Sequence, residues 1–486
     1  MNLKLKKIND YLYELLQRDD MLVPGRIYAD AEIIKHLQDD VKQGKEWNAL
    51  AQIYNVATLP GIQKYSLAMS DVHPGYGFPI GGVGAFDLEK GVVAVGGVGF
   101  DCNCGVRTLL TPLTKQDLEN EETKRKLANQ LARDIPTGVG SMGKLKLPLQ
   151  EIDKVLIQGA EYAVRHGYGR EEDLEFSEEN GKVKGADPTL VSLKAKQRQY
   201  RQIGTLGSGN HYLEVQYVDE IYDEKAAQVF GLQESSILIS IHCGSRALGH
   251  QIGTDYLKIL ETAAKKYNIP IREKELVCAP INSKEGQAYL SAVNAGVNCA
   301  FANRQVLTHL TRKAVSRALG VNEEEIKVLY DIGHNNVKIE EHKIDGQKKK
   351  LLVHRKGATR AFGPGRQEIP AKYRPIGQPV LVGGTMGTES YILHGTQKGM
   401  EETFGSACHG AGRALSRVQA KKRWHGKELV KDLEKRGIII KGVSMSGVAE
   451  EAPGAYKDVG RVVNVMHNAG IVKKVAKVKP LISVKG

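Results

Sequence analysis

The sequence predicts an α+β fold in which helices and strands mix without a regular β-α-β alternation. Residues 68–110 are rich in glycine and contain short β-branched runs that are typical of strands. Residues 284–319 have the length and spacing of one long helix. An Asp345-Gly346 pair between two strand-like stretches indicates a β-hairpin. Both element types therefore contribute to the fold.

The first half of the chain contains several helical patterns. Residues 1–60 are predicted to be helical in parts, with a loop at Pro24-Gly25. Charge patterns predict helices within residues 115–135 and 148–166. Residues 171–200 are polar, and we expect them to lie on the surface.

The second half of the chain contains an apolar run that carries a histidine. Residues 236–241 predict a buried strand with His242 at its end. Residues 379–388 read as a strand that leads into a glycine loop, and His409 and a basic helix follow. The chain has no internal repeat and no low-complexity linker. Because the polar motifs are spread over most of its length, we expect one site assembled from distant segments.

The hairpin at Asp345-Gly346 allows a prediction of strand register. If Ile344 opposes Gln347 across the turn, antiparallel pairing places Asn335 opposite Lys356. We therefore expect the His334-Asn335 segment to lie beside the basic residues 354–360.

Composition narrows the class of protein. The 486 residues exceed the usual size of one hydrophobic core, and the formal net charge of +13 favours a polyanionic partner. Six cysteines in so long a chain do not form a disulfide framework. No signal-peptide pattern is visible, and the longest apolar-glycine stretch, residues 91–100, is too short to span a bilayer. We expect a reducing, cytoplasmic compartment and no membrane contact.

Five residues carry donor groups that suit one or two transition metals. Each alone has an ordinary explanation, because a single cysteine is usually a small core residue and a lone histidine usually bonds a carbonyl. Their joint occurrence beside glycine and amide residues favours metal binding. The candidates are Asp101, Cys104, His211, His242 and His334.

The donor set does not by itself identify the metal. Thiolate and imidazole ligands suit zinc, whereas a carboxylate moves the preference toward harder ions such as manganese. Ligand chemistry alone favours zinc.

A further histidine, His409, lies in a glycine-rich segment that ends at Arg413. A neutral imidazole can attack phosphorus, and an arginine can hold a phosphate with two hydrogen bonds. We interpret His409 as a nucleophile in a phosphate pocket. The alternative is that His409 is one more metal ligand.

Together these motifs resemble the RtcB family of RNA ligases, also called 3′-phosphate tRNA-splicing ligases. The resemblance covers most of the chain and rests on residues 71–75, 99–107, 207–214, 242–250, 331–336, 354–362 and 406–413. It implies a complex mixed architecture of the RtcB type, with central β-sheets surrounded by helices. It also implies one catalytic domain over residues 1–486, with a site assembled from residues 71–485.

The resemblance also implies a reaction. Family members join RNA that ends in a 2′,3′-cyclic phosphate or a 3′-phosphate to RNA that begins with a 5′-hydroxyl, using GTP and two Mn²⁺ ions. Such a reaction serves tRNA splicing and RNA repair. A helper protein, archease, often assists. The alternatives are a dinuclear metal-dependent phosphodiesterase acting on RNA ends, which needs no nucleotide, and a non-catalytic RNA-binding protein with a structural metal.

Carried onto this sequence, the resemblance assigns the metals to the five donors, with Cys104 bridging. His409 would be guanylylated, and we hypothesise that Asp71 orients it. Glu214 would read the base edge of the guanylate. The family usually has serine at position 385, where this chain keeps the hydroxyl. The implied guanylate contacts are Asn210, Glu214, Asn335, Thr385, Ser390, Arg413 and Lys485.

Basic residues near these motifs are candidates for the phosphates of RNA. Arg246 and His250 follow His242, and Arg355 and Lys356 lie in the basic cluster after the hairpin.

Overall fold

Two large β-sheets and a long helix organise this computed structural model, which describes residues 3–45, 47–145 and 147–486. Nineteen strands lie in these ranges: β1 Leu5–Asn9, β2 Leu12–Leu15, β3 Gly25–Tyr28, β4 Ser66–His73, β5 Ile80–Asp87, β6 Val92–Ala94, β7 Gly105–Thr114, β8 Tyr212–Ile221, β9 Ser236–Cys243, β10 Cys278–Pro280, β11 Lys327–Gly333, β12 Asn335–Ile344, β13 Gln347–Lys356, β14 Ala358–Arg360, β15 Pro379–Val382, β16 Ser390–Gly395, β17 Ser406–Cys408, β18 Ile439–Gly442 and β19 Val472–Lys485.

Fifteen α-helices surround the sheets within the same ranges: α1 Ala31–Lys42, α2 Ala49–Ala57, α3 Glu121–Asp134, α4 Ile152–Gln158, α5 Ala160–Arg165, α6 Glu172–Glu175, α7 Leu193–Gln199, α8 Glu224–Phe230, α9 Arg246–Lys266, α10 Lys284–Leu319, α11 Gln397–Glu402, α12 Arg417–Arg423, α13 Gly426–Lys435, α14 Met445–Glu450 and α15 Val459–Asn468. The predicted α+β class is confirmed. Among the described residues, no helix combines the length and apolar character needed to cross a membrane.

The two sheets have different roles. The first has the order β1-β2-β3-β4-β5-β13-β12 and contains the predicted hairpin. The second has the order β11-β7-β9-β8-β19-β16-β15, with β18 pairing alongside β19. The ends of its central strands carry most of the metal-donor candidates.

The hairpin has the predicted register. Ile344 pairs with Gln347 and Asn335 pairs with Lys356. Asp345 and Gly346 both adopt positive φ, at 49° and 81°, which matches the tight turn that this residue pair favours.

Helix α10 is the long helix expected for residues 284–319. Ser283 caps its first turn through the N–H of Gly286, and Gly320 ends it in the left-handed conformation. Alanines along α10 allow close packing against α3, α4, α5 and α9. The helix therefore lies behind the eight-stranded sheet as a buried support.

Two early expectations need correction. The described part of residues 1–60 is helical in parts as predicted, at α1 and α2, but it also contains three strands, and Gly25 begins β3 instead of lying in a loop with Pro24. Residues 171–200 are not all on the surface, since Asp173 and Glu178 are buried. Their carboxylates form buried ion pairs, Asp173 with Arg312 and Glu178 with Arg360. Charged residues in this segment are therefore paired inside the protein and are not all exposed to solvent.

Candidate active site

The metal-donor candidates lie at the ends of adjoining strands, on one side of the eight-stranded sheet. In this sheet β7 lies between β11 and β9, and β8 follows β9. Gly105 at the start of β7 pairs with both Gly333 and Cys243, so the neighbouring strand ends are level. The donors occupy these ends, with Cys104 directly before β7, His211 directly before β8, His242 next to last in β9 and His334 directly after β11.

The five candidates form two donor sets that share one sulfur. Asp101, Cys104 and His211 form the first set, and Cys104, His242 and His334 form the second. Within each set the ligand atoms lie within 4.8 Å of one another. The structure thus brings together every residue that was predicted as a metal ligand.

The distances between donor atoms suit coordination by a central ion. Cys104 Sγ lies 3.4 Å from His211 Nε2 and 3.2 Å from His242 Nε2. The Nε2 atoms of His242 and His334 are 3.2 Å apart. Ligands that sit about 2.0–2.3 Å from one ion have separations of this order.

The hydrogen bonds of His211 show whether its ring can bind a cation. Its Nδ1 donates to the carbonyl of Leu206 at 3.0 Å, which leaves the lone pair of a neutral ring on Nε2. That nitrogen faces Asp101 Oδ2 at 2.9 Å, so two acceptors would meet. Either a second ring proton or a bound cation removes this conflict, and the residues therefore fit a metal.

Burial sets the protonation of these donors. Burial and the neighbouring histidines hold the pKa values of His242 and His334 well below the ordinary range, so both imidazoles keep a free lone pair. Burial raises the pKa of the Cys104 thiol to about 12. Burial opposes ionisation of Asp101, but the hydrogen bond and charge of His211 outweigh it and hold the pKa of that carboxyl at about 2. A cation at this site would displace the thiol proton.

A buried arginine that the sequence interpretation missed ties the donor segments together. Arg304 on α10 donates from Nη1 to the carbonyls of Asn103 and Cys243, at 2.7 and 2.8 Å. Its Nε donates to Asp331 at 2.8 Å, three residues before His334. Arg107 donates to the other oxygen of Asp331 at 2.8 Å. The sequence offered one signal for this role, which is a charged residue within an alanine-rich helix.

His409 lies beside the donor sets and is held by Asp71. Asp71 Oδ2 accepts hydrogen bonds from the backbone N–H of His409 at 2.9 Å and from its Nδ1 at 2.6 Å. The rings of His409 and His334 have centroids 4.6 Å apart. Because Nδ1 carries the proton, the lone pair of a neutral His409 is on Nε2.

A cavity of about 240 Å³ opens at His409. Four predicted guanylate contacts line it: Asn210, Thr385, Arg413 and Lys485. Further lining residues were not found from the sequence, and they include two aromatic and three charged or ionisable side chains: His73, Tyr212, Arg417, Glu451 and Tyr456. Tyr212 adjoins the motif at His211, so its position was the available signal.

Three predicted guanylate contacts are not on the wall of this cavity. Glu214 is buried and accepts hydrogen bonds from Ser483 and Gln216. Ser390 faces a smaller adjoining cavity. The side chain of Asn335 bonds the backbone of Asp101 and Gly357.

The predicted RNA-binding residues lie in different environments. His250 is exposed, and Arg246 is partly buried and donates to the hydroxyl of Thr205 at 3.2 Å. Lys356 is buried and donates to the carbonyl of Tyr76.

Arg355 does not face solvent. Its guanidinium is fully buried and forms a two-point ion pair with Glu340, at 2.6 and 2.8 Å. Strand β13 is covered on both faces at this point, so an alternating pattern does not bring Arg355 to the surface. Its assignment to RNA phosphates is corrected to a structural role.

Two buried donor sets that share a thiol form a candidate metal centre, and a histidine held by a carboxylate lies beside it. Comparison with known proteins identifies the family. Residues 52–486 match the family described as tRNA-splicing ligase RtcB. The chain is 51% identical over 490 residues to the tRNA-splicing ligase RtcB of Methanococcus maripaludis, with 100% of both chains covered. It is 50% identical over 486 residues to that of Archaeoglobus fulgidus, with 99% of both covered.

The chain therefore belongs to the RtcB family and is an RNA ligase. The resemblance inferred from the motifs is confirmed, and the non-catalytic alternative is wrong.

Proposed function

We propose that this chain joins RNA ending in a 2′,3′-cyclic phosphate or 3′-phosphate to RNA beginning with a 5′-hydroxyl, with GTP as the source of energy. In this proposal His409 carries GMP between GTP and the RNA end. The reaction would serve tRNA splicing and RNA repair. The observation that supports it most directly is the placement of His409, held by Asp71 and 4.6 Å ring to ring from His334.

The first step uses the free Nε2 of His409. This nitrogen attacks the α-phosphorus of GTP, an N–P bond forms, the bond to the β-phosphate oxygen breaks, and pyrophosphate leaves. Positive charge develops on the imidazole as the bond forms. Asp71, which accepts the Nδ1 proton, stabilises that charge and fixes the ring orientation.

The second step transfers GMP to RNA. A cyclic end is first opened by water to the 3′-phosphate. An oxygen of this phosphate attacks the GMP phosphorus, the N–P bond breaks, and the imidazole of His409 is released unchanged. The RNA then ends in a phosphoanhydride to GMP. The 5′-hydroxyl attacks the RNA phosphorus, GMP leaves, and a phosphodiester forms. GMP leaves more readily than the oxygen of a phosphate monoester, which explains the need for a nucleotide.

Asp101, Cys104 and His211 would hold one Mn²⁺ ion, and Cys104, His242 and His334 would hold a second. When bound, such ions neutralise charge on the reacting phosphate oxygens. The resemblance implies manganese, although the thiolate and imidazole donors alone would favour zinc.

The proposed guanylate site combines the cavity at His409 with the smaller one beside it. Tyr212 and Gly383 line both cavities. Ser390 lines the smaller one, and Glu214 is hydrogen-bonded to Gln216 on its wall. In this proposal the guanine edge extends toward the Glu214 carboxylate, which accepts from N–H donors.

Labelling with GTP tests the proposal. Protein incubated with Mn²⁺ and GTP labelled at the α-phosphate should acquire an acid-labile, base-stable label, as a phosphoramidate requires. The His409→Ala variant should acquire none. The His36→Ala variant, altered at a histidine whose side chain is 73% exposed, is the matched control and should label normally. Absence of label on the unaltered chain, with metal-dependent cleavage of cyclic phosphates retained, would support the phosphodiesterase alternative.

The remaining proposals concern cell context. The six cysteines are all buried and unpaired, which suits the expected reducing cytoplasm. Assistance by an archease stays a prediction.

A further inference from the structure

Four aromatic rings form a continuous row beside the metal-donor sets. The ring centroids of Trp47 and Tyr76 are 4.9 Å apart, those of Tyr76 and Phe100 are 6.0 Å apart, and those of Phe100 and His250 are 5.3 Å apart. Trp47 is 44% exposed and Tyr76 is 49% exposed. His250 is exposed and Phe100 is half-buried. These four residues, called the aromatic row, come from four separate segments of the chain.

The row is held in place by its surroundings. Phe100 packs on α9 where Gly253 makes room, since a Cβ at position 253 would lie 2.7 Å from Phe100 Cδ1. Lys356 donates to the backbone carbonyl of Tyr76, and its Nζ lies 5.9 Å from the Tyr76 ring centroid. A ring that is fixed as Phe100 is loses little conformational freedom when a ligand stacks on it.

The row leads directly to the metal-donor sets. Phe100 immediately precedes Asp101, and Lys356 pairs with Asn335, the neighbour of His334. His250 lies in the first turns of α9, the helix that begins four residues after His242. The row is therefore built on the same chain segments that carry Asp101 and His334.

We propose that the aromatic row binds unpaired bases of the RNA strand that enters the metal centre. Every base has a π face, so rings in a row can hold a strand without reading its sequence. Arg246, at the start of the helix that carries His250, and the formal net charge of +13 are complementary to the phosphates between those bases. Bases in an RNA duplex already stack on each other, so the row fits a single strand. The inference rests on the proposed function in that the ligand is the RNA substrate.

The chain offers a direct optical test of contact with the row. It contains two tryptophans, Trp47 in the row and Trp424 elsewhere. In the Trp424→Phe variant the fluorescence reports Trp47 alone, and in the Trp47→Phe variant it reports Trp424 alone. Titration with a single-stranded oligoadenylate, without GTP, should quench the first variant and leave the second nearly unchanged. The proposal would be overturned if the fluorescence of neither variant were quenched, or if both variants were quenched equally.

A second test separates stacking from phosphate contact. Affinities are measured by fluorescence anisotropy for an oligoadenylate and for an abasic oligonucleotide of the same length. Tyr76→Ala should weaken oligoadenylate binding by roughly 5- to 150-fold, the range measured for loss of one stacked base. The same variant should bind the abasic strand as the unaltered chain does. Tyr76→Phe, which keeps the ring, should bind both strands normally.

The outcomes distinguish this proposal from its rivals. If Tyr76→Ala weakens the binding of both strands equally, or of neither strand, the row does not stack bases. Unchanged binding of both strands would be expected if the row instead docked a protein. Because these measurements use no GTP, their failure is independent of His409 guanylylation. A chain that stacks RNA but takes no label from GTP would contradict the proposed function alone.

Discussion

Both hydrogen bonds that the Asp71 carboxylate accepts come from His409. One oxygen of its carboxylate accepts from the backbone N–H and from Nδ1 of that residue, and the other oxygen has no hydrogen-bond partner among the described residues. The Asp71 carboxylate is fully buried, so its charge is little screened by water. The pair therefore fixes both the backbone and the ring of the proposed nucleophile.

Replacing Asp71 with asparagine tests this relationship. Asp71→Asn keeps the shape but removes the charge that stabilises a developing imidazolium. We expect the rate of His409 labelling by GTP to fall between about 100- and 10,000-fold, the range for loss of an orienting carboxylate or a general base. Single-turnover labelling with Mn²⁺ measures the rate. A normal rate in a folded Asp71→Asn variant would show that the carboxylate has no orienting role.

The sequence predicted the parts of this site that depend on local rules. The register that pairs Asn335 with Lys356 follows from one turn and from antiparallel pairing, both of which operate over a few residues. The run before His242 predicted a strand because it is short, apolar and rich in isoleucine. The five donor residues were identifiable by their chemistry, although their convergence depends on the order of the strands in the sheet.

Non-local packing accounts for what the sequence did not predict. Arg355 reads as a basic surface residue, but β13 lies between β5 and β12 and is covered on both faces. Its partner Glu340 lies fifteen residues away, across the hairpin. Arg304 likewise depends on three segments that only the tertiary fold brings together. No local pattern specifies such partners.

Arg304 should control metal binding through the segments that it joins. Arg304→Lys keeps the charge but loses the planar fork that reaches two carbonyls and Asp331. We expect Mn²⁺ affinity to fall by about 10- to 100-fold, as for loss of supporting groups around other metal sites. Isothermal titration calorimetry measures this affinity directly.

Arg312 provides the matched control on the same helix. It forms a buried two-point pair with Asp173 at 2.7 Å and contacts none of the donor segments. Arg312→Lys should lower the thermal unfolding temperature to a similar extent but leave Mn²⁺ affinity unchanged. If both variants lose affinity equally, the effect of Arg304 is one of general stability.

The buried pair of Arg355 and Glu340 should contribute to stability. Glu340→Gln leaves the Arg355 charge buried with a neutral partner, which we expect to cost about 3–5 kcal/mol in the free energy of unfolding. Replacing both residues with methionine removes the unpaired charge and should cost less than Glu340→Gln alone. Urea denaturation measures both changes. A larger loss in the double variant than in the single one would contradict this account.

Glu214 should destabilise the fold at neutral and higher pH. Burial raises the pKa of its carboxyl from the ordinary 4.5 to about 7, although Lys485 and the hydrogen bonds from Ser483 and Gln216 oppose the rise. The unfolded chain therefore ionises this group at lower pH than the folded chain does. Stability contributed by the group falls as pH rises from about 4.5 to 7 and stays low above that range.

A carboxyl pKa of about 7 in the folded chain against 4.5 in the unfolded chain corresponds to about 3 kcal/mol. Glu214→Gln should therefore stabilise the folded chain by about that amount at pH 8 and by much less at pH 5. The same change should weaken labelling by GTP, because the proposed carboxylate acceptor for guanine is lost. Urea denaturation at the two pH values measures the first effect.

Glu179→Gln is the control, and it should destabilise the fold. Lys338 holds the pKa of Glu179 at about 2, so the charged form of this residue stabilises the folded chain. Destabilisation of Glu214→Gln at pH 8 would mean that the carboxylate is already well solvated in the folded chain.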